Sequence, residues 1–210
     1  YDAPGSADDI WLRAFGDPAA KEICLTDFGW EAGSPDWAPD GRRLVFCGWE
    51  KGGAPFTGRC WIVSLDPALA RAQRVEKIPL PKDLHSAASA AWSPKGDEIA
   101  IEDRGEGEQQ ALWIVAPDGA KAQKLLEYRG TTKGGLDWTP DGNNIVFSAL
   151  ESGRMQIFTI PRSGGKPKLI SQDSATLILP QVSPDGRWVA ASRIEFRKEI
   201  WRRAPPRPGQ

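Results

Sequence analysis

A hexapeptide with Pro and Gly at fixed places recurs four times, and it restricts the chain to folds built from repeated short strands. The copies are Asp36-Trp37-Ala38-Pro39-Asp40-Gly41, Ala91-Trp92-Ser93-Pro94-Lys95-Gly96, Asp137-Trp138-Thr139-Pro140-Asp141-Gly142 and Gln181-Val182-Ser183-Pro184-Asp185-Gly186. Their glycines fall 55, 46 and 44 residues apart. A period of about 45 residues with Gly and Pro punctuation belongs to radial β repeats. Pro presets φ, and Gly takes the positive φ that closes a tight reversal between two strands. Asp40, Gly41, Gly96, Asp141, Gly142, Asp185 and Gly186 are therefore read as structural turn residues.

Each turn is followed at once by an apolar run: Leu44-Val45-Phe46, Ile99-Ala100-Ile101, Ile145-Val146-Phe147 and Trp188-Val189-Ala190. Near-continuous apolar character predicts strands buried on both faces, as between stacked sheets. A polar loop leads to a third strand at Cys60–Val63, Leu112–Val115, Ile157–Ile160 and Ile200-Trp201. A more polar fourth strand follows in the first three repeats, as suits a sheet edge. The chain has 22 Gly, 18 Pro and 10 Trp in 210 residues, a balance that fits short strands and many turns. No stretch sustains helical periodicity.

The predicted organisation is one all-β domain over 1–203, with full repeats at about 34–80, 87–127 and 134–171. Partial repeats at 9–27 and 178–203 flank them, and a Pro/Arg-rich tail, 204–210, follows. The fold expected is a β-propeller, or an incomplete arc of one, with about four blades of four antiparallel strands represented. Joining both partial repeats in one blade leaves one strand in excess. Ile200-Trp201 then lies outside the sheet, or the chain is an open arc, or it is part of a larger ring. The chain opens at Tyr1, not Met, and is read as a processed chain or a portion of a longer one.

The repeat resembles the TolB-type β-propeller repeat: W-[ST]-P-D-G, an apolar strand, a polar loop, a second apolar strand, a turn and a Leu-Ile-like strand. The resemblance covers about residues 9–203 and departs at Lys95, which replaces the turn Asp, and at Val182, which replaces the Trp. It implies a rigid disc presenting loops. Similar repeats occur in the periplasmic, partner-binding TolB, in the gating propellers of prolyl-oligopeptidase-like enzymes and in extracytoplasmic sensor regions. Fold alone does not choose among these.

The side chains carry no catalytic constellation. There is no G-x-S-x-G elbow, and His85 is the only histidine, in a connector beside Ser86. Ser163-Gly164-Gly165-Lys166 fails the phosphate-loop pattern, because Ile160 and Pro167 stand where a Gly and a Ser or Thr belong. The run Glu102-Asp103-Arg104-Gly105-Glu106-Gly107-Glu108 lacks a calcium-loop spacing and is expected to be a solvated loop. Cys24, Cys47 and Cys60 match no zinc spacing. A Cys47–Cys60 bridge across neighbouring strands is conceivable, but three small buried apolar residues is the plainer expectation. No catalytic residue, cofactor or metal is expected.

The formal net charge of −1 gives no footprint for nucleic acid, and no apolar run is long enough to span a membrane. The most distinctive connector is 49–59, which carries Trp49, Phe56 and Arg59, residue types suited to interface hot spots. With Arg104 in the 103–110 loop, these are the candidate partner-binding residues. The leading expectation is a non-catalytic, extracytoplasmic (periplasmic) interaction module, a scaffold or accessory subunit whose protein partners belong to an envelope or membrane complex. The alternatives are the propeller of a peptidase-like enzyme whose catalytic domain lies elsewhere, and a ligand sensor using the central channel.

Overall fold

The computed structural model describes residues 9–16, 19–26, 31–49, 57–66, 71–131 and 135–195. Three consecutive meanders form four-stranded antiparallel sheets. Blade I comprises β3 (Glu31–Trp37), β4 (Arg43–Trp49), β5 (Arg59–Asp66) and β6 (Arg71–Lys77). Blade II comprises β7 (Ala87–Trp92), β8 (Ile99–Arg104), β9 (Gln109–Val115) and β10 (Ala122–Arg129). Blade III comprises β11 (Leu136–Trp138), β12 (Asn144–Glu151), β13 (Arg154–Pro161) and β14 (Lys168–Leu169). A two-stranded piece stands before them, β1 (Trp11–Leu12) with β2 (Ile23–Cys24), and another after them, β15 (Thr176–Val182) with β16 (Val189–Ile194). The architecture is thus an open arc of propeller blades, all strand among the described residues. Ile200-Trp201 and the tail at 204–210 lie outside the described residues.

The turn chemistry follows from the hexapeptide. Gly142 has φ +64°, and its N–H donates to the Thr139 carbonyl at 2.8 Å. Asp141 accepts the Asn143 N–H at 3.0 Å and the Thr139 hydroxyl at 2.6 Å, closing the reversal before β12. Asp40 and Asp185 accept the N–H two residues on in the same way. Lys95 cannot accept. Its ammonium instead donates to Asn143 Oδ1 at 3.0 Å, on the corresponding turn of the next blade.

Period-two side chains on β4 explain how blades stack. Leu44 and Phe46 face the β1–β2 hairpin with Ile10, Leu25 and Trp61. Val45 and Cys47 face the other way, into a core shared with Trp92, Ile99, Ile101 and Trp113 of blade II. Blade II repeats the alternation, turning Ala100, Leu112 and Ile114 toward Trp138, Ile145 and Phe147 of blade III. The fourth apolar run differs. Trp188 is 69% exposed and Val189 also lies open, because no described element packs on that face of β16. Burial on both faces therefore holds for the second strands of blades I to III and not for Trp188-Val189-Ala190.

One expectation is corrected within blade I. Cys47 and Cys60 are direct cross-strand partners and form a disulfide, with Cα atoms 4.1 Å apart. The β4–β5 register puts both Cβ atoms on one face, which residue type alone does not disclose. Cys24 is the free thiol among the described residues.

Candidate functional site

The inner strands β3, β7, β11 and β15 border a cleft of about 430 Å³ on the axis of the arc. Its polar lining includes Asp36, Ser89, Asp137 and Gln181. Each inner strand runs toward its Trp-Pro turn, so the residue before the Trp lines the cleft once per repeat. Ser34, Gly135 and Leu179 occupy one repeat position and all have positive φ, at +52°, +93° and +55°. In β3, β7 and β15 the register slips near this position, as at a β-bulge.

The two aspartates of the cleft latch blades together. Asp36 Oδ2 accepts the Trp92 N–H of blade II at 2.6 Å. Asp137 Oδ2 accepts the Val182 N–H of the following piece at 2.7 Å. Burial lifts the Asp36 carboxyl above the ordinary carboxylate range, against the pull of the Trp92 N–H, and the like charge of Asp137 pushes the same way. Burial also raises Asp137. Ala91 offers no carboxylate at the middle junction. There the Trp138 indole N–H donates to the Ala91 carbonyl at 3.0 Å.

A second cluster lies at the rim where second strands pass to third strands. Glu102 and Asp103 end β8, are 4% and 1% exposed, and point to opposite faces of blade II. Glu102 accepts the Tyr128 hydroxyl at 2.8 Å, the Ser89 hydroxyl at 3.0 Å and the Gly135 N–H of the next blade at 3.1 Å. Asp103 accepts the Ser86 N–H at 2.7 Å and lies 3.4 Å from His85 Nδ1. These two acids are buried structural acceptors, so the solvated-loop reading holds only for Glu106 to Glu108 beyond them. Burial, with the Glu102 carboxylate beside it, drives the Tyr128 phenol well above its ordinary value.

The His85–Ser86 segment crosses from blade I to blade II and gathers the candidate partner-binding residues. Arg59 donates to the His85 carbonyl at 3.0 Å, and the Ser86 carbonyl accepts the Arg104 N–H at 2.7 Å. Ser86 Oγ accepts the Gly58 N–H at 2.9 Å, so its hydroxyl braces the loop rather than facing the His85 ring. Trp49 closes β4 at this same end, one residue past the Gly48↔Arg59 pair, and is 36% exposed. Phe56 lies outside the described residues. Among the described residues no cluster of three or more His, Cys, Asp or Glu side chains is arranged to hold a metal ion. None of their helices is long and apolar enough to cross a membrane.

Sequence reasoning passed over Asp36, Asp137, Ser86 and the buried Glu102–Asp103 pair. The first two share a repeat position, a signal readable by aligning the hexapeptides. The others carry none, because their partners come from other strands of blade II, from the next blade and from the 85–86 crossing.

The family model for the TolB β-propeller domain matches residues 32–202. The chain belongs to the TolB β-propeller family. This TolB-type propeller is 27% identical over 159 residues to the uncharacterized peptidase YuxL of Bacillus subtilis, covering 75% of this chain and 21% of that protein. It is 26% identical over 135 residues to a TolB homolog of Chlorobium luteolum, covering 64% of this chain and 28% of that protein. The crystal structure of TolB from Acinetobacter baumannii superimposes with a TM-score of 0.67 at 18% identity. That match covers 81% of this chain and 40% of TolB. The TolB-type propeller described here thus spans well under half of each of these three proteins.

Proposed function

We propose that this chain is the partner-binding portion of an extracytoplasmic β-propeller, and that it acts by docking proteins and not by catalysis. The observation carrying the proposal is the convergence of Trp49, Arg59 and Arg104 on one rim. They lie up to 55 positions apart in sequence; Arg59 and Arg104 are joined through the His85–Ser86 crossing, and Trp49 ends β4 at the same side of the blade. The Arg104 backbone N–H and the Arg59 guanidinium are both held by carbonyls of this crossing, so this part of the rim is preorganised and loses little conformational freedom on binding. An exposed Trp and two arginines at one end of neighbouring blades have the composition of an interface hot spot. The buried Cys47–Cys60 disulfide supports an oxidising compartment.

Capture of native envelope proteins by wild type and Trp49→Ala, compared by mass spectrometry, tests the reading. Loss of a reproducible partner set with unchanged thermal unfolding supports it. Identical capture removes Trp49 from the interface.

A second reading is favoured by one observation, the similarity to YuxL, whose name describes a peptidase. In that reading the propeller belongs to a larger hydrolytic polypeptide. The mass of the native polypeptide, combined with labelling by an active-site serine probe, separates the two. A labelled polypeptide much larger than 23.0 kDa supports the enzyme reading.

A further inference from the structure

A separate groove lies on the outer flank of blade I, where β6 leaves the sheet and the chain runs toward β7. It encloses about 540 Å³, within the range that accommodates several side chains. Its rim carries three cations, Arg59, Lys77 and Lys82, and no carboxylate among the described residues lines it. We infer that this groove is a docking site for an extended acidic peptide that places an apolar side chain between its carboxylates. The inference rests on the interaction reading above and names the chemistry of the partner.

The groove is built before any partner arrives. The Ile78 N–H donates to the Cys60 carbonyl at 2.9 Å, fixing where the connector departs from the sheet. Pro79 and Pro81 hold φ near one value, and the Leu84 N–H closes a turn onto the Pro81 carbonyl at 3.1 Å. Ile78 and Leu84 are buried beneath, and half-buried Leu80 packs against the core shared by blades I and II. Leu80 with the Pro79 ring supplies an apolar patch that a partner can reach. A rigid, Pro-braced patch costs little ordering entropy on binding.

The charge argument concerns which acids are already engaged. Asp83, next in sequence, faces Lys124 at 3.7 Å. Glu76, on β6, pairs with Arg74 at 2.6 Å. Arg59 is held by two neutral acceptors, the Gly58 carbonyl at 2.8 Å and the His85 carbonyl at 3.0 Å, which orient the guanidinium without cancelling its charge. Lys77 stands 5.8 Å from the centre of the Trp61 ring. Arg59 and the exposed Lys82 therefore give the rim a locally positive end on a chain of net charge −1. That end selects carboxylates over cations, and steering of this kind weakens with salt.

Fluorescence anisotropy with three labelled peptides tests the assignment: one of alternating Glu and Leu, its Lys-for-Glu counterpart, and one of Glu and Gly. The Glu/Leu peptide is expected to bind saturably and to lose affinity as salt rises. The Glu/Gly peptide binds more weakly, and the Lys/Leu peptide does not bind. Lys82→Glu, at an exposed position, is expected to weaken the Glu/Leu peptide, and Lys82→Glu with Arg59→Gln to weaken it by about tenfold or more. Equal binding of the Lys/Leu peptide, no binding of the Glu/Leu peptide, or full affinity in both variants overturns the inference. Trp49→Ala separates it from the rim reading. A partner lost with Trp49→Ala but kept with Lys82→Glu leaves the rim reading standing and removes the groove. The reverse pattern keeps the groove and removes the rim.

Discussion

Asp36→Ala and Asp36→Asn together probe what holds neighbouring blades in register. The wild-type carboxylate accepts the Trp92 N–H across the junction at 2.6 Å. Trp92 is buried in the core between blades I and II, so its N–H has little recourse to water if that acceptor goes. Orphaning a buried donor costs about 1–3 kcal/mol. Part of this is offset, because Ala also removes a carboxylate that burial and the charge of Asp137 disfavour. The expected net loss for Asp36→Ala at neutral pH is about 1–2 kcal/mol. Asn keeps a carbonyl acceptor of the same reach and carries no charge, so its loss is expected to stay below about 1 kcal/mol. The pH response has a definite sign. The folded carboxyl lies above the ordinary aspartate value of 3.8, so its stabilising contribution is full below that value and is lost as pH rises through the folded pKa. Wild type should therefore gain on Asp36→Asn as the solution is acidified toward that window. Urea unfolding followed by Trp fluorescence, at neutral and mildly acidic pH, measures all of this. Equal losses for Ala and Asn, or a gap that moves the other way on acidification, refute the latch.

Three further outcomes follow from particular side chains. Gly142→Val should cost about 1 kcal/mol or more by denaturant unfolding, since φ is +64° and a new Cβ would sit 3.1 Å from the Lys95 side chain that bonds the same turn. Gln110→Leu should raise stability by about 1 kcal/mol, because Gln110 is 3% exposed and neither of its side-chain polar atoms has a partner among the described residues; a loss of stability would mean that these atoms are satisfied in solution. Reducing the Cys47–Cys60 bridge, which closes a separation of 13 residues, should lower the unfolding free energy by about 3 kcal/mol, read as a shift in the urea midpoint with and without reductant.

How much of this was legible in the chain depends on how far each cause reaches along it. The Pro-Asp-Gly turns act within six residues, so Asp141 and Gly142 announce their geometry directly. The blade strands act through period two, and Leu44-Val45-Phe46 reads as a two-faced strand without reference to a partner. The disulfide is different, since it exists because β4 and β5 pair in one particular register that places Cys47 opposite Cys60. Glu102 and Asp103 misled for a related reason. Adjacent acids beside glycines look solvated until β10 of the same blade, the next blade and the 85–86 crossing supply Tyr128, Gly135 and Ser86 as donors. The proposed rim residues were singled out by type alone, and the shared location of Arg59 and Arg104 rests on the 85–86 crossing, which no local pattern encodes.

The departures from the repeat show where this fold absorbs sequence change. Lys95 loses the turn Asp and gains Asn143 of the next blade. Ala91 loses the latching carboxylate, and the Trp138 indole takes its backbone carbonyl instead. Both repairs cross between blades, so the specificity of the stack lies in its junctions more than within any sheet. The same logic gives meaning to the far end of the arc. On β4 and β8 the second strand finds apolar partners on both sides, and on β12 residues of both faces are buried. At the start of β16, Val189 keeps the apolar identity of that repeat position while lying exposed, and Trp188, at the position held by Arg43, Glu98 and Asn144 in the blades before it, adds an exposed ring beside it. A residue pattern that elsewhere serves only to bury a face has therefore been retained where the described residues bury none. Trp188→Ser supplies the test. It should leave the unfolding midpoint of this chain nearly unchanged if the face serves contacts beyond the described blades, whereas a large destabilisation would place its role inside the arc.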